Sequence, residues 1–152
     1  MRSPAVRDSL RVIFLNARSI RNKFLELRAL IATENPDLVA VTESWLRTSI
    51  RDFEGEFAIP GYQMFHRDRE DRNGGGVLLY VKDGFNAVKC SIISDHEFLG
   101  VDLEIGCASY RILVVYKPDS SHEDRVWYEA LGPLVDGRVS LLMGDFNSPC
   151  VD

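Results

Sequence analysis

Four side chains in this sequence of 152 residues draw notice by their placement. RVIFL (11–15) runs into Asn16, LVAVT (38–42) runs into Glu43, and VSLLMG (139–144) runs into Asp145, with Asn147 two residues on. Each time, a short apolar run delivers a carboxylate or carboxamide at its C-terminal end. A carboxylate is an anionic oxygen ligand, and an Asn amide offers both a carbonyl oxygen and an N–H donor suited to phosphate. If the runs are strands with a common direction, the four groups converge on one spot. Hard oxygen ligands without Cys or His suit Mg²⁺ or Mn²⁺ rather than zinc. Taken singly, each residue has a plainer role, because Asp and Asn favour the turns at strand ends. The coincidence of three such ends points to a site.

Positioning those groups requires strands and helices in a definite order. The sequence predicts a strand over Leu10 to Leu15, then a helix in which Ile20, Phe24, Leu27 and Ile31 recur at helical spacing. Ser19 or Asn22 is placed to cap that helix, and Asn35-Pro36 stops it. Strand two covers Leu38 to Thr42, and residues 47–61 read as irregular. Tyr62 to Phe65 reads as a short strand, His66 to Asn73 (HRDREDRN) as a charged, solvated loop, and Gly74 to Lys82 as a strand entered flexibly through glycines. Further strands follow at Ala87 to Ile93, Phe98 to Ile105 and Tyr110 to Tyr116. A helix over Glu123 to Leu134, with Val126, Tyr128 and Leu131 among its apolar positions, leads to the last strand, Val139 to Met143. This order suits helices outside a stacked sheet core, although strand periodicity alone does not choose between one sheet and two.

Composition bounds the function. With 45% hydrophobic and 27% charged residues, the chain reads as one globular domain over 10–152 behind a flexible leader, 1–9. A net charge of −5 argues against coating nucleic acid through bulk charge, but not against a local basic groove beside an acidic metal centre. Cys90, Cys107 and Cys150 lack CxxC spacing and read as reduced, mostly buried thiols of an intracellular protein. No apolar run reaches membrane-spanning length, and MRSPAVRDSL lacks the apolar core of a signal peptide.

Read in order, LNARSIRNKFLELRALI, NPDLVAVTESWL, GYQMFHRDREDRNGGGVLLYVKDG, EFLGVDLEI, VVYKPDS and LLMGDFN resemble the endonuclease/exonuclease/phosphatase superfamily. Within it, the apurinic-like endonuclease domain of non-LTR (LINE-type, Jockey-like) retrotransposons is most similar. The resemblance implies a DNase I-like two-sheet β-sandwich flanked by helices, an α/β fold. It also implies Mg²⁺- or Mn²⁺-dependent hydrolysis of DNA phosphodiesters, a reverse transcriptase domain on the same polypeptide, and a nuclear location. Asn16 would help position the phosphate, Glu43 would be the metal ligand, and Tyr116 would hydrogen-bond the phosphate. Asp145 would aim the attacking water, and Asn147 would stabilise the transition state. Within the same superfamily a phosphatase or an apurinic-repair enzyme is the alternative; outside it, a non-catalytic DNA- or protein-binding relic.

The family pattern continues beyond GDFN to a further Asp and a Ser-Asp-His motif, so the fold is expected to be C-terminally incomplete and catalysis impaired. Ser94-Asp95-His96 spells the triplet far upstream, where it reads as a solvated turn. His66 and His122 lack ligand-spaced partners, and Gly74 to Gly76 lacks the Lys-Ser/Thr of a phosphate-binding loop. Arg67, Arg69 and Arg72 alternate with acids and read as solvated surface, whereas Arg18, Arg21 and Lys23 flank a helix start beside Asn16 and are the candidate DNA contacts, with a solvated helix end as the alternative.

Overall fold

The computed structural model describes residues 9–47, 53–70, 73–119, 124–137 and 139–148. Among them the elements run β1 (Val12–Asn16), α1 (Phe24–Glu34), β2 (Leu38–Thr42), α2 (Phe53–Glu56), β3 (Tyr62–Arg67), β4 (Val77–Lys82), β5 (Asn86–Lys89), β6 (Glu97–Ile105), β7 (Ala108–Tyr116), α3 (Asp124–Val135) and β8 (Val139–Asp145). The first sheet has the order β1-β2-β4-β3 and the second β5-β6-β7-β8. Each contains one parallel pair, β1 with β2 and β7 with β8, and antiparallel pairs elsewhere. A parallel pair needs a crossover, and α1 and α3 supply it.

Alternation along the strands builds the layers. Leu38, Ala40, Val77, Leu79 and Val81 of the first sheet meet Leu99, Val101, Leu103, Ile112 and Val114 of the second. The opposite parity, Val39, Val41, Leu78 and Tyr80, packs under Leu27 and Ile31 of α1. Phe98, Leu113 and Val115 pack under Trp127 and Leu131 of α3. The result is a helix–sheet–sheet–helix stack, the two-sheet α/β sandwich that the resemblance implies. Because β2 is buried on both faces, all five of its residues are apolar or small. Each fully buried Leu or Val contributes roughly 1.5–3 kcal/mol, and this burial is the main force holding the layers together.

Several expectations need correcting. In α3, Val126 and Tyr128 are exposed, and Trp127 is the core residue. Positions 127 and 131 share a face, and the indole fills the gap between Phe98 and Phe146 with ring centroids 5.3 and 5.9 Å away. No side chain caps α1, which is entered through a 3-10 turn at Arg21–Lys23. It does stop at Asn35, whose left-handed φ of 48° lets its N–H reach Ile31 O at 2.9 Å. β5 ends at Lys89 rather than Ile93, and beyond it the Arg67 guanidinium donates to the carbonyls of Ile92 and Ser94. The first half of HRDREDRN, His66 to Arg69, is not a solvated loop. His66 and Arg67 belong to β3, His66 Nδ1 lies 2.9 Å from Asp68 Oδ1, and the Asp68 side chain is buried. Of the thiols, Cys107 is exposed in the β6–β7 turn and Cys90 is half-buried beside Asp102 and Arg111, its pKa pushed up chiefly by burial. Residues 1–8 of the expected leader, Arg72, His122 and Cys150 lie outside the described residues.

Candidate active site

Strand direction decides which side chains meet. β1, β2, β7 and β8 all end at the same edge of the sandwich, where Asn16 registers with Thr42 in one sheet and Tyr116 with Asp145 in the other. Because β6 is antiparallel to β7, its first residue, Glu97, arrives there too, opposite Tyr116. Across this seam a single amide joins the sheets: Asn16 Nδ2 donates to Glu43 Oε1 at 3.0 Å and to Asp145 Oδ2 at 2.8 Å. The Asn147 backbone N–H donates to Asp145 Oδ1 at 3.1 Å, so both oxygens of that carboxylate are held. The Arg18 N–H fixes Asn16 Oδ1 at 3.2 Å.

The backbone around these groups is strained. Among the described residues six non-glycines take positive φ, and five of them, Arg18, Ser19, Glu43, Trp45 and Asn147, stand at this seam. Such conformations cost on the order of 1–3 kcal/mol each and persist only where neighbouring structure over-determines them. Here the neighbours are main-chain bonds: Ala17 N to Thr42 O (2.9 Å), Ser19 N to Glu43 O (2.9 Å), Ile20 N to Ser44 O (3.0 Å) and Trp45 N to Gly75 O (2.9 Å). The glycines are therefore not a flexible strand entry. Gly75 has φ +66°, and a Cβ there would lie 2.1 Å from Glu97 Oε1 and 2.5 Å from the Arg69 guanidinium. Gly76 has φ +85°, and its Cβ would lie 2.5 Å from Ser44 Oγ.

Sequence reasoning does not single out three residues that the fold brings to the seam: Arg69, Glu97 and Lys117. Arg69 Nε and Nη2 each donate to Glu97 at 3.0 Å, Glu97 Oε1 also accepts the Gly76 N–H at 2.7 Å, and the guanidinium carbon sits 5.4 Å from the Tyr116 ring centroid. The signal for Glu97 is a carboxylate opening an otherwise apolar strand, meaningful only once its register with Tyr116 is known. Burial pushes the Tyr116 phenol up, and Glu43 adds to this; Arg69 opposes it, while Glu97 and Asp145 raise it further. The phenol thus keeps its proton and remains a donor at neutral pH. Lys117, only 2% exposed, pairs with Asp124 at 2.5 Å and donates to Asn147 O at 3.3 Å, while Asn147 Nδ2 donates to Lys117 O at 2.6 Å.

The weaker candidates divide. Arg18 is exposed next to Asn16, and Lys23 is exposed at the end of the 3-10 turn. Arg21 is engaged away from the seam, 3.2 Å from Glu56 and over the Phe57 ring. β6 does bring Ser94-Asp95-His96 to the seam end of the second sheet. There His96 N–H bonds Ser94 Oγ, and the ring packs against Phe98, on the α3 side of the sheet.

Among the described residues no three His, Cys, Asp or Glu side chains surround one point. What the seam offers is two half-buried carboxylates bridged by an amide, with the hydroxyls of Thr42 and Ser44 buried without partners on either side of Glu43. Mg²⁺ keeps several waters and needs only one or two carboxylates beside a substrate phosphate, so this donor set fits it.

Against known proteins, residues 13–152 match the endonuclease/exonuclease/phosphatase family. The fold is similar to the endonuclease domain of TRAS1, a telomere-specific non-LTR retrotransposon, with a TM-score of 0.72 at 14% identity, over 92% of this chain and 61% of that one. It is also similar to an AP endonuclease from Leishmania major (TM-score 0.67, 18% identity, 90% of this chain and 54% of that one). A 3′ phosphatase from Neisseria bound to a product DNA hairpin is a third (TM-score 0.67, 15% identity, 91% of this chain and 58% of that one). The chain thus spans under two thirds of the length of these structures. A search of the curated proteins finds no match. No helix among the described residues is long and apolar enough to cross a membrane.

Proposed function

The chain belongs to the endonuclease/exonuclease/phosphatase family, and from that premise we propose that it is a divalent-metal-dependent phosphodiester hydrolase acting on DNA, the endonuclease module of a non-LTR retrotransposon. The observation that carries the reading is the Asn16 amide bridging Glu43 and Asp145 across the two sheets. Two supports are external: one similar structure is a retrotransposon endonuclease and another is bound to DNA. A reverse transcriptase on the same polypeptide and a nuclear site of action follow from this reading.

Each residue has a distinct task. Glu43, with Asp145 beside it, would hold Mg²⁺ or Mn²⁺, which supplies charge neutralisation on the phosphate and the leaving oxygen. Asp145, its orientation fixed by bonds to both oxygens, accepts a hydrogen bond from the attacking water and aims it at phosphorus. Tyr116 donates its phenol proton to a phosphate oxygen. Asn147 spends one amide N–H on Lys117 O and has the other for the same purpose. Donors fixed before the reaction cost no reorganisation as charge develops in the transition state. Asn16 keeps the two carboxylates in register, and Arg18 and Lys23 draw the DNA backbone to the seam.

Nicking of supercoiled plasmid in Mg²⁺, lost in chelator, is the activity that tests this reading, at the reduced rate that the expected impairment allows. Asp145→Ala should lower it on the order of 10²–10⁴-fold. Calorimetry with Mg²⁺ should give heat with the parent chain and little with Glu43→Gln; equal heats would remove Glu43 from the metal. Abasic duplex and inositol phosphate, tested alongside, separate the nuclease from the repair enzyme and phosphatase of the same family.

A further inference from the structure

The two tryptophans of this chain are used in opposite ways. Trp127 is 2% exposed, and its Nε1–H donates to Tyr116 O. Trp45 is 49% exposed, two residues past Glu43, and holds a φ of +58° that a bulky aromatic rarely adopts. Its backbone is fixed on both sides: Ser44 and Leu46 are buried, and the Trp45 N–H bonds Gly75 O at 2.9 Å. Only the indole projects into solvent. One edge rests on the glycine turn, where a Cβ on Gly74 would stand 3.7 Å from Nε1 and 3.8 Å from Arg69 Nη1. Exposed Arg18 precedes Ser19, whose N–H bonds Glu43 O.

We propose that Trp45 is a nucleic-acid contact, its indole stacking on the base next to the phosphate held at the seam; this rests on the nuclease reading above. Three physical points carry it. A strained backbone that presents one large apolar side chain to water is a cost the fold tolerates where the side chain has an external use. A chain with a net charge of −5 draws little affinity for DNA from bulk charge, so the binding must come from local groups. An exposed π face supplies one such group, because every base has a face to stack, and exposed Arg18 at the same seam supplies a cation for the phosphate. Trp45 thus sets the affinity and the register of the strand, and Glu43, Asp145 and Tyr116 act on the phosphate so placed.

Tryptophan fluorescence tests this with the 152-residue chain. Titration with a short oligonucleotide, Ca²⁺ replacing Mg²⁺ to slow turnover, should quench the exposed indole while buried Trp127 stays dark to the ligand. Trp45→Phe should bind within about threefold of the parent and lose the quench. Trp45→Gly separates folding from binding, since glycine takes the left-handed φ without strain. Its melting temperature should not fall, yet its Kd should rise about tenfold or more, the range of one lost base stack. A quench that survives in Trp45→Phe, unchanged affinity in Trp45→Gly, or no quench with the parent chain overturns the proposal. Quenching and tight binding with neither hydrolysis of any substrate nor an Mg²⁺ heat that Glu43→Gln removes would sink the nuclease reading and leave the stacking in place. Hydrolysis without Trp45-dependent binding does the reverse.

Discussion

The β1–α1–β2 and β7–α3–β8 units are built alike and secured differently. Each is a parallel strand pair with a helix laid over its outer face, and each brings its residues to the same end of the sandwich. In the first unit the strained turns after β1 and β2 are laced by main-chain bonds, from 17 to 42, 19 to 43, 20 to 44 and 45 to 75. In the second, one main-chain bond, Lys117 N to Asp145 O at 2.8 Å, is joined by side chains. The Lys117 ammonium reaches Asp124 and Asn147 O, and Asn147 and Trp127 donate back to the carbonyls of Lys117 and Tyr116. Main-chain lacing depends on backbone conformation and is nearly indifferent to side-chain identity. Lacing by a buried lysine depends on that one residue.

Lys117→Met should therefore have the largest effect on stability. Loss of one member of a buried ion pair leaves the other charge uncompensated, and Asn147 O also loses a donor. The Asp124 side chain is one-third exposed, but its Oδ1 facing Lys117 is buried, so the loss should be about 3 kcal/mol. Urea denaturation should show a lower midpoint at unchanged slope. A loss under about 0.5 kcal/mol would mean that the second unit is also secured by its main chain, and the contrast would fail.

Gly75→Ala probes the first unit where it does depend on side-chain volume. Its Cβ would land on Glu97 and Arg69, and φ +66° adds strain of its own. We expect roughly 2 kcal/mol of destabilisation together with displacement of the guanidinium from the Tyr116 ring. The same clash is predicted to be relieved by Glu97→Ala in the Gly75→Ala background, so the double mutant should lose less than the two single mutants summed. Strict additivity would show that Gly75 is required for its φ alone.

The contrast also accounts for what could be read from the sequence. The run ending at Glu43 is visible because β2, buried on both faces, is a continuous apolar string that ends where the chain emerges. β1 and β8, by contrast, are edge strands with exposed Phe14 and Leu142, and are not buried on both faces as their apolar runs suggest. The helix–sheet–sheet–helix order follows from periodicities, with the choice of two sheets supplied by resemblance. What stays hidden depends on register or on pairing. Arg69 looks like one of several alternating charges in HRDREDRN until β6 sets Glu97 opposite Tyr116. Lys117 looks like an ordinary lysine after a strand until α3 folds back and offers Asp124. Trp127 does not stand out because its neighbours Val126 and Tyr128 share its apolar character, and helical phase alone decides which of them faces in.

The smallest expected effect is the sharpest test of the first unit. Thr42 and Ser44 flank Glu43, are completely buried, and have hydroxyl oxygens without partners among the described residues. If the main-chain bonds and the Asn16 side chain secure these turns, the hydroxyls contribute nothing and carry only the cost of desolvation, about 1–3 kcal/mol for an unsatisfied buried group. Thr42→Val preserves shape and removes the polar atom, so it should stabilise by about 1 kcal/mol, a rise in melting temperature of roughly 2–4 °C for a chain of this size. Ser44→Ala should lie within about 0.5 kcal/mol of the parent, since the gain from removing an unpartnered hydroxyl is offset by the small void left against Gly76. Destabilisation of about 1 kcal/mol or more by either substitution would mean that an ordered water or ligand atom bonds these oxygens. The first unit would then rely on side chains as the second does, with its bonds completed from outside the chain.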